Sequence, residues 1–284
     1  MLTLAVQKSG RLSENTLKLI KECGISIPNG LGHKLKAKAG NFPLQILFLR
    51  DDDIPECLAD GAADVGIVGE NEYNESGHKL RLIKRLGFAK CRLSLAVPQN
   101  APYQQPEDLN GTSIATSYPQ ILKTYLKEKG IRASIHKISG SVEITPSIGL
   151  ADAIFDIVSS GSTLASNGLR EIYTVMESEA VLLAANNLSP QKEKILSEFI
   201  FRIKALLKAS AYKYILLNAP KDRIETICQI LPGMKSPTVM PLAGSGWSSV
   251  HSVIHEDEFW QRIDMLKKAG AQGILVLPIE KMIL

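Results

Sequence analysis

The sequence predicts an α/β protein of two lobes followed by a smaller βαββαβ module, and three observations carry that prediction. Apolar strand-like runs alternate with helical patterns through the first two thirds of the chain. A Gly-x-Ala-Asp motif occurs twice, at Gly61–Asp64 and Gly149–Asp152, an offset of 88 residues that suits one small α/β lobe. Near Ala211 the rhythm changes to one helix or strand pair at a time, in the order of a ferredoxin-like plan.

Taken in order, Leu2 to Val6 is a short apolar strand. The helix after it sets Leu12, Thr16, Leu17, Leu19, Ile20 and Cys23 on one face until Gly24 stops it. Lys8 and Arg11 fall in the intervening loop. Leu44 to Leu49 is the next strand, ending in Arg50 and three aspartates, with Pro55 opening a helix that runs into the first Gly-x-Ala-Asp. Strands at Leu93 to Val97 and Ser113 to Thr116 precede a helix from Pro119 to Lys129. This alternation predicts a mainly parallel sheet in each lobe. Gln191 to Lys208 reads as a long amphipathic helix. Beyond it come strand Tyr214–Leu217, helix Lys221–Ile230, strands Thr238–Leu242 and Trp247–Ile254, helix Glu256–Ala269 and strand Gly273–Leu277.

Composition bounds the function. At 284 residues the chain suits about two domains, and 45% hydrophobic with 22% charged residues describes a globular protein with a sizeable core. No window reaches the ~18 uninterrupted apolar residues of a membrane span, so the expectation is a cytoplasmic protein with no membrane partner. Cys23, Cys57, Cys91 and Cys228 lie far apart with no Cys-x-x-Cys pair, which points to reduced core thiols. A formal charge of +4 without a basic block argues against a nucleic-acid surface and suits small anionic ligands.

The stretch Gly140 to Leu169 carries the chemistry. Ala153 to Val158 reads as a buried strand interrupted by Asp156, followed by Ser159, Ser160, Gly161, Ser162 and Thr163 and then a helix start. Unpaired backbone N–H groups, four hydroxyls and a glycine that admits close approach make a phosphate cradle. Asp156 beside it can hold ribose hydroxyls or a magnesium ion bridging phosphates. The competing reading is a plain Ser/Gly turn capping a helix.

Other features read as structural. His251 and His255 are four apart on a strand end, so the spacing does not place both imidazoles on one metal-binding face. Gly244-Ser245-Gly246 starts like a dinucleotide fingerprint, but Ser249 stands at the third glycine and a strand follows; it reads as a hairpin turn. The run Asp51 to Asp53 also serves as a solvated helix N-terminus.

Together the residues resemble the long form of ATP phosphoribosyltransferase, the enzyme family that opens histidine biosynthesis. The resemblance rests on KSGRL at Lys8–Leu12, RDDDIP at Arg50–Pro55, GAADVGIVGEN at Gly61–Asn71, LGFAKCRLSLAVP at Leu86–Pro98, the hydroxyl-rich loop, PGMKSPTVMPL and GAQGILVLPIEKM. Ser160 stands where many relatives carry threonine, and it keeps the hydroxyl.

The resemblance implies two periplasmic-binding-protein-like lobes forming a catalytic cleft, about 1–92 with 183–210 and about 93–182, and a ferredoxin-like regulatory domain at 211–284. It implies that adenine N1 of ATP attacks the anomeric carbon of phosphoribosyl pyrophosphate as pyrophosphate leaves, with Mg2+ as cofactor. Ser159, Ser160, Gly161, Ser162 and Thr163 are then expected on the 5-phosphate and Asp156 on the ribose, with Asp152 and Glu143 as further acids. Asp152 can equally stabilise the turn before its strand. Lys8, Gly10, Arg11 and Arg50 are expected on ATP and pyrophosphate oxygens. Free L-histidine is the implied inhibitor, held by Asn218, Met234, Ser236, Thr238 and Gly273, in a homo-oligomer of dimers that build hexamers. A solute-sensing module would share the two-lobed cleft but would not need the loop beside an acid. A purely structural protein would not need the loop either, and another phosphoribosyltransferase would not need the C-terminal module.

Overall fold

Strand β1 (Leu2–Gln7) is the centre of the first sheet because every apolar side chain on it is buried: Leu2, Leu4, Ala5 and Val6 are all fully enclosed. The computed structural model describes residues 1–28, 35–244 and 246–283 and falls into two units, Met1–Leu196 and Ser197–Leu284. In chain order the first unit begins with β1, α1 (Arg11–Glu22), β2 (Lys36–Lys38), β3 (Leu44–Leu49), α2 (Ile54–Ala59), β4 (Val65–Gly69), α3 (Glu70–Ser76) and β5 (Arg81–Arg85). It continues with β6 (Cys91–Pro98), β7 (Ser113–Thr116), α4 (Pro119–Lys129), β8 (Ser134–Lys137), β9 (Ala153–Val158), α5 (Ser162–Ser166), β10 (Leu169–Ser178) and β11 (Ala180–Ala184). The unit boundary falls within α6 (Pro190–Ser210).

These strands make two sheets, ordered β2-β3-β1-β4-β11-β5 and β10-β6-β9-β7-β8. Each has a parallel core, β3-β1-β4 in one and β9-β7-β8 in the other. Each is then extended by antiparallel strands: β2, β11 and β5 in the first, β6 and β10 in the second. The expectation of mainly parallel sheets is corrected here. The chain leaves the first sheet after β5 and re-enters it as β11, and a strand that returns from the other lobe runs against its neighbours.

The two crossings are fastened to each other. Leu86 N–H donates to the Ala180 carbonyl and Ala180 N–H to the Phe88 carbonyl, both at 2.9 Å. Gly87 N–H reaches the Glu179 carboxylate at 2.6 Å. This doubled connection holds the lobes at their shared edge.

The repeated Gly-x-Ala-Asp motif is one structural device used twice. Gly61 and Gly149 both lie in the left-handed region, at φ 73° and 72°, which lets the chain turn sharply into the strand. Asp64 N–H donates to the Thr3 carbonyl while its carboxylate accepts the Thr3 N–H at 2.8 Å. Asp152 does the same with Ser113, accepting its N–H at 2.8 Å and its hydroxyl at 2.7 Å. Asp64 is 5% exposed and also holds Lys192 Nζ at 2.7 Å, whereas Asp152 faces solvent.

The second unit contains β12 (Tyr212–Pro220), α7 (Ile224–Ile230), β13 (Thr238–Pro241), β14 (Trp247–His255), α8 (Glu256–Lys268) and β15 (Gln272–Pro278). Its sheet order is β13-β14-β12-β15, antiparallel throughout, the ferredoxin-like arrangement. Ile215, Leu217, Ile227, Leu231, Val250, Phe259 and Leu266 form its core. His251 is bonded to Tyr214 Oη and Ser249 Oγ, at 2.7 and 3.0 Å, so its ring serves the sheet. The turn expected at Gly244-Ser245-Gly246 includes Ser245, which lies outside the described residues.

The two aspartates differ in burial, and their substitutions are expected to differ accordingly. Asp64→Ala strands a buried N–H and an ammonium and is expected to cost about 3 kcal/mol of stability. Asp152→Ala is expected to cost about 1 kcal/mol, because water replaces the carboxylate. Urea denaturation of both variants checks the order.

Candidate active site

In both sheets the carboxyl ends of the parallel strands carry the polar groups, the usual place for ligands in open α/β sheets. In the first sheet Lys8 follows β1 and Arg50 follows β3. Gln7 and Leu49 are register partners, so these two cations leave adjacent strands side by side. Glu70 follows β4 and opens α3. In the second sheet Tyr118 follows β7 at the start of α4, and the loop Ser159–Thr163 follows β9.

Helices α3 and α4 join the two sets of strand ends. Tyr118 Oη donates to Glu72 Oε1 at 2.8 Å, and Asn71 Nδ2 bonds both atoms, at 3.2 and 3.0 Å. Ser178 Oγ accepts the Asn71 N–H at 3.1 Å and donates to Asn71 Oδ1 at 2.8 Å. One turn further along α3, the Glu75 carboxylate accepts the N–H groups of Gln120 and Ile121 at 2.9 and 3.0 Å. The helix α4 has no side-chain cap of its own, so its free donors are satisfied from the other lobe.

Burial pushes the Glu72 carboxyl up to about 7; the Tyr118 hydrogen bond opposes this, and the negative charges of Asp51, Asp52 and Glu75 add to it. Tyr118 is raised as well, first by burial and then by Glu72, with Asp156 contributing. Burial also lifts Asp156 to about 6, against the pull of the Ile157 N–H at 2.8 Å and with help from Glu143. Tyr118 thus feels an acid of each lobe, Glu72 and Asp156, in the kind of environment that tunes groups for chemistry.

The loop beside Asp156 is open. Gly161 has φ 81°, and a Cβ built on it meets nothing within 4 Å. Ser160 and Ser162 share a hydrogen bond of 2.8 Å, and Ser159, Ser160, Ser162 and Thr163 are exposed. Glu143 sits in a short 3-10 turn, Val142–Ile144, preceded by Ser141 in the left-handed region at φ 50°.

The predicted site residues separate into groups. Asp156, Glu143 and the loop come together. Asp152 does not join them: it lies at the amino end of β9, and its carboxylate is held below the usual carboxylate range by the Ser113 N–H and hydroxyl. That corrects its expected place among the reacting acids. Lys8 and Gly10 lie exposed between β1 and α1, with Gly10 at φ 93°, and Arg11, expected in that loop, is the exposed first residue of α1. Arg50 is forked onto Asp52 through Nε and Nη2, both at 3.2 Å. In the second unit Asn218 and Gly273 adjoin, since a Cβ on Gly273 would stand 3.4 Å from Asn218 Nδ2. Thr238 begins β13, and Met234 and Ser236 precede it, so these three lie by the opposite outer strand of the sheet.

Sequence reasoning gave no role to Asn71, Glu72, Tyr118 or Ser178. The signal at Asp156, an acid near the end of an apolar strand, is also present at Glu70 and Glu72 after Val65–Gly69.

The two-lobed frame is shared with solved structures. A periplasmic sulfonate-binding protein, SsuA from Methylobacillus flagellatus KT, superposes with TM-score 0.50 at 16% identity, covering 80% of this chain and 72% of that one, which is likeness of fold alone. An ATP phosphoribosyl transferase (HisG:HisZ) complex from Thermotoga maritima gives TM-score 0.63 at 27% identity, covering 73% of this chain and 99% of that one. The family model HisG: ATP phosphoribosyltransferase matches residues 50–205, and HisG, C-terminal domain matches 209–281. The ATP phosphoribosyltransferase of Cytophaga hutchinsonii is 60% identical over 283 residues, covering 100% of this chain and 99% of that protein. The fold is that of a phosphoribosyl-transferring enzyme with a periplasmic-binding-protein-like body. The chain belongs to the ATP phosphoribosyltransferase family, in its long form, whose reaction is the first step of histidine biosynthesis with ATP and phosphoribosyl pyrophosphate as substrates.

The folded value of Asp156 lies above its unfolded one, so the folded state keeps a proton that the unfolded chain releases. The stability this gives is fully present below about pH 4 and is lost as pH rises through about 6. Asp156→Asn is therefore expected to raise stability by about 1 kcal/mol above pH 6, to change little at pH 4, and to lower turnover by about tenfold or more. Melting curves at pH 4 and pH 7.5, with initial rates on the same samples, check both halves.

Proposed function

We propose that the loop Ser159–Thr163 holds the 5-phosphate of phosphoribosyl pyrophosphate and that Asp156, with Glu143 beside it, faces the ribose. The observation that carries this reading is a half-buried acid lifted to about 6 next to an open, hydroxyl-rich loop at the carboxyl end of β9. When adenine N1 attacks the anomeric carbon and pyrophosphate leaves, positive charge develops on the ribose. A carboxylate fixed beside it stabilises that state more than the ground state. Lys8, Gly10 and Arg11 supply donors to the phosphates of ATP and pyrophosphate, and Arg50 joins them from its fork on Asp52. No covalent nucleophile is needed; alignment of two anionic substrates supplies much of the rate.

Mg2+ is the cation we assign. Among the described residues no group of three or more His, Cys, Asp or Glu side chains is gathered to hold a metal. That suits an ion that keeps several waters and is carried on substrate phosphates. Asp156 and Glu143 are the carboxylates that would face it, and it would neutralise charge on the leaving pyrophosphate.

We assign the two-lobed catalytic body to about 1–210 and the regulatory domain to 211–284, in a cytoplasmic homo-oligomer of dimers and hexamers inhibited by L-histidine. Asn218 and Gly273, with Met234, Ser236 and Thr238, are the histidine contacts. Asn218 stands on the inner strand β12 and Gly273 on the outer strand β15, while Met234, Ser236 and Thr238 lie at or before the opposite outer strand β13, two strand spacings of about 4.8 Å from β12.

Incubation with ATP, phosphoribosyl pyrophosphate and Mg2+ is expected to yield an adduct absorbing in the near ultraviolet, and no product under those conditions would overturn the reading. Lys8→Ala and Arg11→Ala are each expected to raise the KM for ATP by about tenfold with little change in Tm, since exposed charges contribute little to folding. The double variant Ser236→Val, Thr238→Val is expected to lose inhibition by histidine while keeping uninhibited turnover. Inhibition curves on parent and variant decide that point.

A further inference from the structure

We propose that Arg92 is a positioning residue that fixes the start of the phosphate loop, a role resting on the reading of Ser159–Thr163 as the 5-phosphate site. Arg92 lies on β6 opposite Val158, the last residue of β9 in that ladder. Beyond Val158 the ladder ends and the chain becomes the loop. Arg92 Nη1 donates to the Ser159 carbonyl at 3.2 Å, the first acceptor past the last rung. Among the described residues, the other hydrogen bonds of the loop run within it or to α5. This guanidinium is therefore the tie between the sheet and the loop.

The guanidinium is itself held rigidly. Its Nε and Nη2 form a fork on Glu171, at 2.7 and 2.6 Å. Glu171 Oε1 also accepts Ser94 Oγ at 2.7 Å and Thr174 Oγ1 at 2.9 Å. Two irregularities in the β10 ladder, between Glu171 and Tyr173 and between Thr174 and Met176, bring this cluster together, as bulges re-aim side chains. Ser94 is fully buried and pairs directly with Asp156. One carboxylate thus references both ends of the phosphate motif: Asp156 through Ser94, and Ser159 through Arg92.

The pair is charge-balanced, so it orients the loop without adding a net cation beside the phosphate. A lysine would keep the charge but cannot hold the planar fork and the carbonyl together. The consequence is selective. Loss of Arg92 should disturb the phosphoribosyl pyrophosphate side of the cleft and spare ATP, which is assigned to Lys8 and Arg11 on the other lobe.

The test titrates phosphoribosyl pyrophosphate and ATP separately against the parent, Arg92→Lys, Arg92→Gln, Glu171→Gln and, as reference, Gly161→Val. Both Arg92 variants are expected to weaken phosphoribosyl pyrophosphate about tenfold or more and ATP by less than about twofold, with Glu171→Gln in the same direction. Should Arg92→Gln not fold, Arg92→Lys and Glu171→Gln carry the comparison. If Gly161→Val weakens phosphoribosyl pyrophosphate and the Arg92 variants leave it unchanged, the positioning role is wrong while the loop reading stands. Parallel losses of both affinities and of Tm would also overturn it, as would full affinity in Arg92→Lys. If Gly161→Val itself has no effect, the loop reading fails and this inference fails with it.

Discussion

The cleft depends on a carboxylate of one lobe satisfying the helix end of the other. Glu72 and Glu75 lie three residues apart on α3 and so share one face. Glu75 takes two N–H groups at the start of α4, and Glu72 takes the Tyr118 hydroxyl just before it. A helix N-terminus buried without partners is costly. The local requirement of α4 therefore becomes a restraint on how the lobes meet. The two hydrogen-bonded crossings near Glu179 supply the pivot, and α3 supplies the stop. Asn71, bonded to Ser178 at the crossing and to Tyr118 at the cleft, connects pivot and stop in a single side chain.

The same residue type serves stability and chemistry according to which end of a strand it occupies. Asp64 and Asp152 stand at amino ends, where their carboxylates accept an N–H near the start of a neighbouring strand. Asp156 and Glu72 stand near carboxyl ends, where burial exceeds the hydrogen bonding offered and the proton is held more tightly. Asp152, held below the usual carboxylate range, stabilises the fold above its unfolded pKa, whereas Asp156 and Glu72 cost stability in their charged form. Such a cost persists where charge is wanted during reaction.

Much of the fold was legible because local rules dominated it. The helix expected from Pro119 to Lys129 has those bounds in the structure, since proline marks its start and Gly130, at φ 69°, its end. The βαββαβ order of the C-terminal unit followed from short elements with clear turns. Strand direction was not legible: Ala180 to Ala184 is a fully buried apolar run that reads identically in parallel and antiparallel sheets. Asp156 and its loop were visible because they are consecutive. Glu72 and Tyr118 were not, since they are 46 residues apart and belong to different lobes, and only folding gives one acid its hydroxyl partner. Likewise, Asp152 and Asp156 are only four residues apart in sequence, and it is β9 that places them toward opposite ends of one strand.

The cationic groups around the cleft differ in how far their charge is compensated. Arg50, Arg85 and Arg92 are each forked onto a carboxylate, Asp52, Glu70 and Glu171 respectively. Their donors orient chain and ligand, while the paired acids cancel most of their long-range field. Among the described residues, Lys8 and Arg11 carry no ion pair and lie exposed. Charge without an ion-pair partner thus stands on exposed side chains at the amino end of one helix, and the opposite lobe offers hydroxyls and backbone N–H groups around Gly161. A phosphate held by neutral donors is bound by geometry, and one held by flexible solvated cations is bound by an attraction that water and salt screen. On the proposed assignment, the 5-phosphate would be held by geometry at the loop and the diphosphate by screened attraction to Lys8 and Arg11, which favours its departure once the bond to ribose has broken.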